Sequence, residues 1–233
     1  MFRIVSAIAV VGTVAAVAAH YLFFGPKHPE VAKEKRDVRR FTLWERFVHG
    51  VTLLSFLVLA ATGLLAAIGY GGPLRGWLWL VHVAVAPVFA LGVTAMTLVW
   101  GDLCLFESLD WEWAKSLGGY LGGDKKLPAG WLNGGQKAYL WAIAAIGLVA
   151  ILSGLGRIFP VLNANGQTAL YELHRYSTLF LVVATIAHLY LGTLASPGTF
   201  WAMVTGRVSS TWAEHHHPNW WERISKGGAD EGQ

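Results

Sequence analysis

Five stretches of the 233-residue chain are almost wholly apolar, and the polar residues gather between them. They run over about Ile4–Phe24, Trp44–Ile68, Trp77–Trp100, Tyr139–Phe159 and Leu170–Ala195. At about 1.5 Å of rise per residue, each is long enough to cross a hydrocarbon core. Backbone groups in lipid must be hydrogen-bonded within their own segment, so all five are predicted helices. Pro87, inside the third, predicts a kink or a locally freed carbonyl. The pattern therefore predicts an all-α membrane protein, a bundle of five transmembrane helices.

Composition agrees. Charged residues make up 14% of the chain, against about 25% in an ordinary soluble domain. The net charge of +4 comes from basic residues between apolar runs, so it speaks of membrane orientation and not of nucleic acid. The single cysteine, Cys104, excludes an intrachain disulfide, a CxxCH haem attachment and a four-cysteine iron–sulfur site. No HExxH or GxSxG motif occurs, and no glycine-rich phosphate loop follows a strand-like segment.

The first stretch has a rival reading as a signal peptide, with one early arginine and a small-residue end. Cleavage would leave the following linker, "PKHPEVAKEKRDVRR", outside, against the positive-inside rule. The first helix is therefore expected to be retained, with the linker in the cytoplasm, the N-terminus periplasmic and the C-terminus cytoplasmic in a bacterial inner membrane. The loop Gly101–Lys137 nearly balances its lysines with acids and votes weakly. Arg207, Arg223 and Lys226 in the tail agree with an inner location, and Trp77, Trp79, Trp100, Trp131 and Trp201 fall where an aromatic belt would lie.

Four histidines lie within helices two to five: His49, His82, His174 and His188. One alone would read as a polar spot facing a neighbour. Four are different, because ionisable residues in membrane helices are costly and mark function. Their depths pair His82 with His174 near the outer side and His49 with His188 near the inner side. His174 and His188 are fourteen residues apart, which puts them roughly 21 Å apart in depth and only about 40° apart in azimuth. Iron in haem takes one axial imidazole from each of two facing helices. Two pairs thus predict two b-type haems stacked across the bilayer, in a four-helix di-haem core. Arg75, Arg157 and Arg175, near the outer ends, are candidate partners for haem propionates.

The residues "RFTLWERFVHG", "LVHVAVAP", "NGGQK", "LHRYSTLFLVVATIAHLYLG" and "GTFWAMVTGRVSSTWAEHHHPNWW" together resemble the gamma subunit, or di-haem cytochrome b subunit, of membrane-bound respiratory formate dehydrogenase. The resemblance spans about Arg40–Ile224. It implies electron transfer from a periplasmic iron–sulfur subunit, fed by a molybdenum- or tungsten-containing catalytic subunit, through two haems to quinone (menaquinone or ubiquinone) at the cytoplasmic side. It implies axial ligation by the same four histidines and a quinone pocket at Asn133, Gly135 and Gln136 beside His188. The residues alone leave another reading of "WLNGGQK" open, in which Asn133 simply caps the fourth helix. The family pattern begins near Arg40, so the first helix and its linker are additions.

The predicted organisation is an additional N-terminal helix over 1–26, a basic linker over 27–40, the di-haem domain over 41–200 and a tail over 201–233. His20 and His28 are expected at an interface, and His215, His216 and His217 in a solvated or lipid-facing tail. The rival within redox chemistry is the cytochrome b subunit of a nickel–iron hydrogenase or thiosulfate reductase. The rival of another class is a haem-free membrane anchor or transporter. No convincing inverted repeat and no mid-helix acid favour transport, since Glu45 and Glu172 sit at helix ends.

Overall fold

The computed structural model describes residues 1–122 and 126–227, so the last six residues of the predicted tail lie outside it. In chain order the helices are α1 (Phe2–Phe24), α2 (Leu43–Leu64), α3 (Gly76–Trp100), a short α4 (Ser108–Lys115), α5 (Gly134–Ile158) and α6 (Ala164–Gly192). Three more short helices follow: α7 (Thr199–Thr205), α8 (Ser210–His216) and α9 (Pro218–Ser225). The five predicted spans are α1, α2, α3, α5 and α6, each long and apolar enough to cross a membrane. Helix α3 continues past Pro87, which has no N–H and so leaves the Val83 carbonyl without its usual helical partner, as expected. One difference stands out. Helix α2 continues as a π-helical turn over Leu65–Tyr70 and stops at Gly71, whose backbone is left-handed.

The chain forms two compact units, and α5 and α6 contribute to both. The first comprises 1–17, 47–99 and 141–187. Here α2 and α3 meet where a Cβ on Gly92 would lie 2.3 Å from Thr52 Oγ1, so only glycine permits the approach. Small residues of this kind let helix backbones close up where lipid supplies no hydrophobic drive. Phe56 and Phe89 pack beside it at 5.7 Å between ring centroids. Thr52, Thr62 and Ser153 donate their hydroxyl protons to carbonyls one turn back, which satisfies polar groups without water. The added helix α1 is seated on this unit. Phe2 is buried edge-on against Tyr176 at 5.0 Å, with the Arg175 guanidinium 4.3 Å over its ring.

The second unit comprises 18–46, 100–140 and 188 onward. Its centre is Arg40, 3% exposed. The guanidinium lies 4.7–5.4 Å from the rings of Phe41, Trp131, Trp212 and Trp220. It donates to the Trp131 carbonyl and, at 3.2 Å, to His217 Nε2. His217 Nδ1 is 2.8 Å from the Gly130 carbonyl and must be the protonated nitrogen, which leaves Nε2 to accept from Arg40. Burial lowers the Arg40 pKa to about 9, with Glu45 opposing the shift.

Two two-residue strands flank the cage: β1 (Val38–Arg39) pairs antiparallel with β2 (Arg207–Val208). Gly206 closes the corner at φ 76°, and a Cβ there would come 2.6 Å from the Phe41 carbonyl. The expectation of a solvated or lipid-facing histidine tail therefore fails at His217, while His215 and His216 are half-buried. Trp212, His217 and Trp220 are 2%, 1% and 4% exposed. That expectation assumed an extended chain. Instead Ser209 caps α8, and Pro218 opens α9 straight after His217, which turns the histidine inward.

Candidate functional site

In the first unit, His82 on α3 and His174 on α6 face each other with ring centroids 6.3 Å apart at 74°. Their protonation is fixed by what Nδ1 touches. His174 Nδ1 lies 2.8 Å from the Ala150 carbonyl, which can only accept. His82 Nδ1 lies 2.7 Å from Thr62 Oγ1, whose own proton goes to Val58 O at 2.8 Å. Both Nδ1 atoms therefore donate, and both Nε2 atoms keep a bare lone pair. This is how a neighbouring hydrogen bond orients a metal-binding imidazole.

The spacing fits a shared metal. Two metal–nitrogen bonds of about 2 Å, plus the distance from each nitrogen to its ring centre, put trans imidazole centroids about 6 Å apart. Gly154 lets the His174 ring lie close against α5, since a Cβ there would stand 3.2 Å from Cε1. A Cβ on Gly63 would meet His82 Cε1 only at an ordinary contact distance of 4.0 Å. The arrangement can hold a haem between two axial nitrogens.

Two of the three arginines offered for haem propionates have other partners at hand. Arg175 forms a two-point ion pair with Glu172. Arg157 reaches Gln167 O at 3.4 Å and the Tyr171 ring at 5.1 Å.

His49 sits on α2 in the first unit, and His188 on α6 in the second. His188 stacks on Tyr139, with centroids 4.1 Å apart and planes 2° from parallel. A few residues before Tyr139, Asn133 and Gln136 form a reciprocal capping box. Gln136 N donates to Asn133 Oδ1 at 2.9 Å, and Asn133 N donates to Gln136 Oε1 at 3.0 Å. The box uses both side-chain oxygens, so the two amide NH2 groups point away from it. Gly135 is explained by packing: a Cβ there would lie 2.4 Å from the Trp113 ring.

The sequence reading missed Lys137. It is 3% exposed and pairs with Asp110 at 2.8 Å, with a further bond to Leu105 O at 3.0 Å. The available signal was a lone lysine inside the first turn of an apolar helix, where an uncompensated charge is untenable. Beside this pair lies the fully buried Cys104, whose thiol is pushed up to about 11 by burial, with Lys137 opposing and Asp110 adding.

His20 was expected at an interface. It donates from Nε2 to the Tyr120 carbonyl at 2.7 Å and accepts from Tyr190 Oη at 2.5 Å, which ties the end of α1 into the second unit.

Five membrane-length helices and an imidazole pair with its protons turned outward define a membrane cytochrome. The chain belongs to the prokaryotic cytochrome b561 family, whose profile matches residues 40–206. That makes haem b its cofactor and electron transport its business. The matched region starts after α1 and most of the linker, as the resemblance implied. Among its relatives is the formate dehydrogenase cytochrome b556(fdo) subunit of Escherichia coli K12, 27% identical over 83% of this chain and 96% of that one. The formate dehydrogenase cytochrome b556 subunit of Haemophilus influenzae is 25% identical over 84% of this chain and 88% of its own. The nitrate-inducible cytochrome b556(Fdn) subunit of Escherichia coli K12 is 30% identical over 44% of this chain and 48% of its own.

Proposed function

We propose that this chain is the membrane cytochrome b subunit of a formate dehydrogenase. In this reading it takes electrons from a periplasmic iron–sulfur subunit, itself fed by a molybdenum- or tungsten-containing catalytic subunit. It delivers them to quinone, menaquinone or ubiquinone, at the cytoplasmic side of a bacterial inner membrane. The observation that carries the haem part is the His82–His174 pair with both Nδ1 atoms occupied. The names of the relatives carry the choice of formate dehydrogenase.

His82 and His174 would hold the outer haem b, and His49 and His188 the inner one. Haem, when bound, supplies one-electron carriage. The chain does the rest. Thr62 and Ala150 fix the outer imidazoles in the ligating tautomer, and Gly154 lets the His174 ring lie close against α5. With one imidazole from each of two helices, the site would suit electron transfer and not oxygen binding. At the inner side, the amide donors of Asn133 and Gln136 orient a quinone carbonyl near His188. Gly135 allows the Trp113 indole to close over the start of α5 and keep that corner dry. The basic linker keeps this end cytoplasmic and leaves the N-terminus periplasmic.

The test is a pyridine haemochrome count and reduced visible spectrum of the purified protein. Wild type should carry two b haems per chain. His82→Ala and His174→Ala should each carry one, the inner, since each removes one of two axial bonds. No haem in the wild type refutes the reading, and loss of only the inner haem reverses the depth assignment.

A further inference from the structure

The buried Lys137–Asp110 pair holds more than the seating of α4 against α5 requires. Both side chains are 4% exposed, and Lys137 Nζ lies 2.8 Å from Asp110 Oδ2. Oδ2 also accepts from Glu107 N at 2.8 Å, so one oxygen serves the ion pair and the α4 cap together. The other oxygen, Oδ1, is sealed from solvent and has no hydrogen-bond partner among the described residues. A structural pin needs only Oδ2. A buried acceptor left without a donor costs stability and calls for a further role. An apolar pair of similar volume commonly pins two helices as well as an ion pair does.

The pair reaches solvent through Glu107. Its Oε2 lies 3.7 Å from Lys137 Nζ, and its side chain is 59% exposed. The remaining lysine contact is a carbonyl, Leu105 O at 3.0 Å. Cys104, the further titratable group beside the pair, keeps its proton, because burial pushes its thiol up to about 11. Three proton-carrying groups, Glu107, Lys137 and Asp110, thus lead from water to one open, buried oxygen. Asp110 also lies against the turn that carries Asn133 and Gln136. A Cβ on Gly134, between those two residues, would stand 3.2 Å from the Asp110 carbonyl oxygen and 3.4 Å from Asp110 Cβ. The Trp113 ring closes the Gly135 side of the same turn, so protons need carriers to reach it.

We propose that Glu107, Lys137 and Asp110 relay protons from solvent to the quinone, with Asp110 Oδ1 as the last donor position. The relay presupposes the quinone site at Asn133 and Gln136. In the ion pair the proton sits on Lys137. Its transfer across 2.8 Å to Asp110 Oδ2 replaces two buried charges by two neutral groups. A half-turn of the carboxyl about Cβ–Cγ then swaps the oxygens, so the proton faces the open position and the emptied oxygen takes over the cap. Donation to a reduced quinone oxygen restores the carboxylate. The Lys137 amine regains its proton from Glu107, which exchanges with water. Each pass moves one proton. Two passes, matched by the two electrons of the proposed haem relay, convert quinone to quinol.

The experiment uses the full-length, haem-loaded protein in nanodiscs, reduced with dithionite and mixed with menadione in water and in heavy water. Haem reoxidation is followed by absorbance, and a quinone-site inhibitor is titrated on the same samples. Glu107→Gln and Asp110→Asn keep an accepting oxygen at the α4 cap but carry no proton. Lys137→Arg keeps the charge and the ion pair, yet a guanidinium does not release its proton. Each should slow inhibitor-sensitive reoxidation about a hundredfold, the low end of what a positioned proton donor contributes. The slowing in heavy water should exceed that of wild type, while inhibitor affinity and haem content stay unchanged. Glu107 is exposed, so its variant decides the matter even where a buried substitution unfolds the chain. A wild-type rate in Glu107→Gln or in folded Lys137→Arg, with inhibition intact, overturns the relay and leaves the quinone site standing. A fall in rate matched by a fall in inhibitor affinity returns the pair to shaping the site and also overturns the relay. Wild-type reoxidation that the inhibitor does not touch overturns the quinone reading, and the relay with it.

Discussion

Replacing Asn133 separates two jobs that the structure gives to one side chain. Its oxygen accepts the Gln136 backbone N–H at 2.9 Å and so caps α5. Its NH2 group lies outside the capping box and is the proposed donor to quinone. Asn133→Ala removes both. Loss of an N-cap costs about 1 kcal/mol, which lowers the melting temperature of a chain this size by about 2–4 °C. Asn133→Asp removes only the second. The carboxylate still accepts from Gln136 N, and a negative charge at a helix N-terminus adds about 0.3–1 kcal/mol. What it lacks is the N–H, and one hydrogen bond to a neutral carbonyl is worth about 0.5–1.5 kcal/mol. Quinone-analogue affinity should therefore fall about three- to tenfold, at unchanged or higher melting temperature. Titrating a quinone-site inhibitor and melting the same samples measures both. Wild-type affinity in Asn133→Asp would return the residue to capping alone.

Two further outcomes follow from the second unit. His217 is held well below its ordinary pKa, chiefly by burial and then by Arg40, and His216 is lowered to about 3. Below about pH 6.5 the unfolded chain takes up protons that the native one refuses. Stability should thus fall by about 1.4 kcal/mol per pH unit per histidine as pH drops, and His217→Gln should flatten a melting series taken between about pH 7 and pH 5. A profile identical to wild type would contradict the buried neutral imidazole. Cys104, with its thiol near 11 and fully buried, should resist iodoacetamide at mildly alkaline pH and react only after denaturation; prompt labelling of the native protein would show that the thiol is accessible.

The spans were legible because lipid allows one local answer to backbone hydrogen bonding, so apolar length alone predicts a helix. The His82–His174 match was legible for a related reason: depth along a helix is linear in sequence, and two imidazoles at one depth have few partners. Less local features escaped. Nothing in "HHHPNWW" announces that Arg40, more than 170 residues earlier, needs acceptors and aromatic faces, so the tail reads as polar decoration. Lys137 looked like an ordinary first-turn lysine because its partner, Asp110, comes from a separate short helix. The π-helical end of α2 left no mark that apolar periodicity could register. For "NGGQK" the capping alternative was correctly left open: Asn133 and Gln136 form a capping box that leaves their NH2 groups outside it.

The small ladder between β1 and β2 also constrains how the protein is made. Val38 pairs with Val208 and Arg39 with Arg207. Between those residues lie four membrane-length helices, α2, α3, α5 and α6. An even number of crossings returns the chain to the side it left, so the strands can meet. If the insertion machinery skipped one span, β1 and β2 would be stranded on opposite faces of the bilayer. The ladder would not form, and Arg40 would lose His217, Trp212 and Trp220. The cage therefore works as a parity check on membrane insertion. It closes only once Trp220 has been synthesised, and any odd number of missed crossings leaves it open.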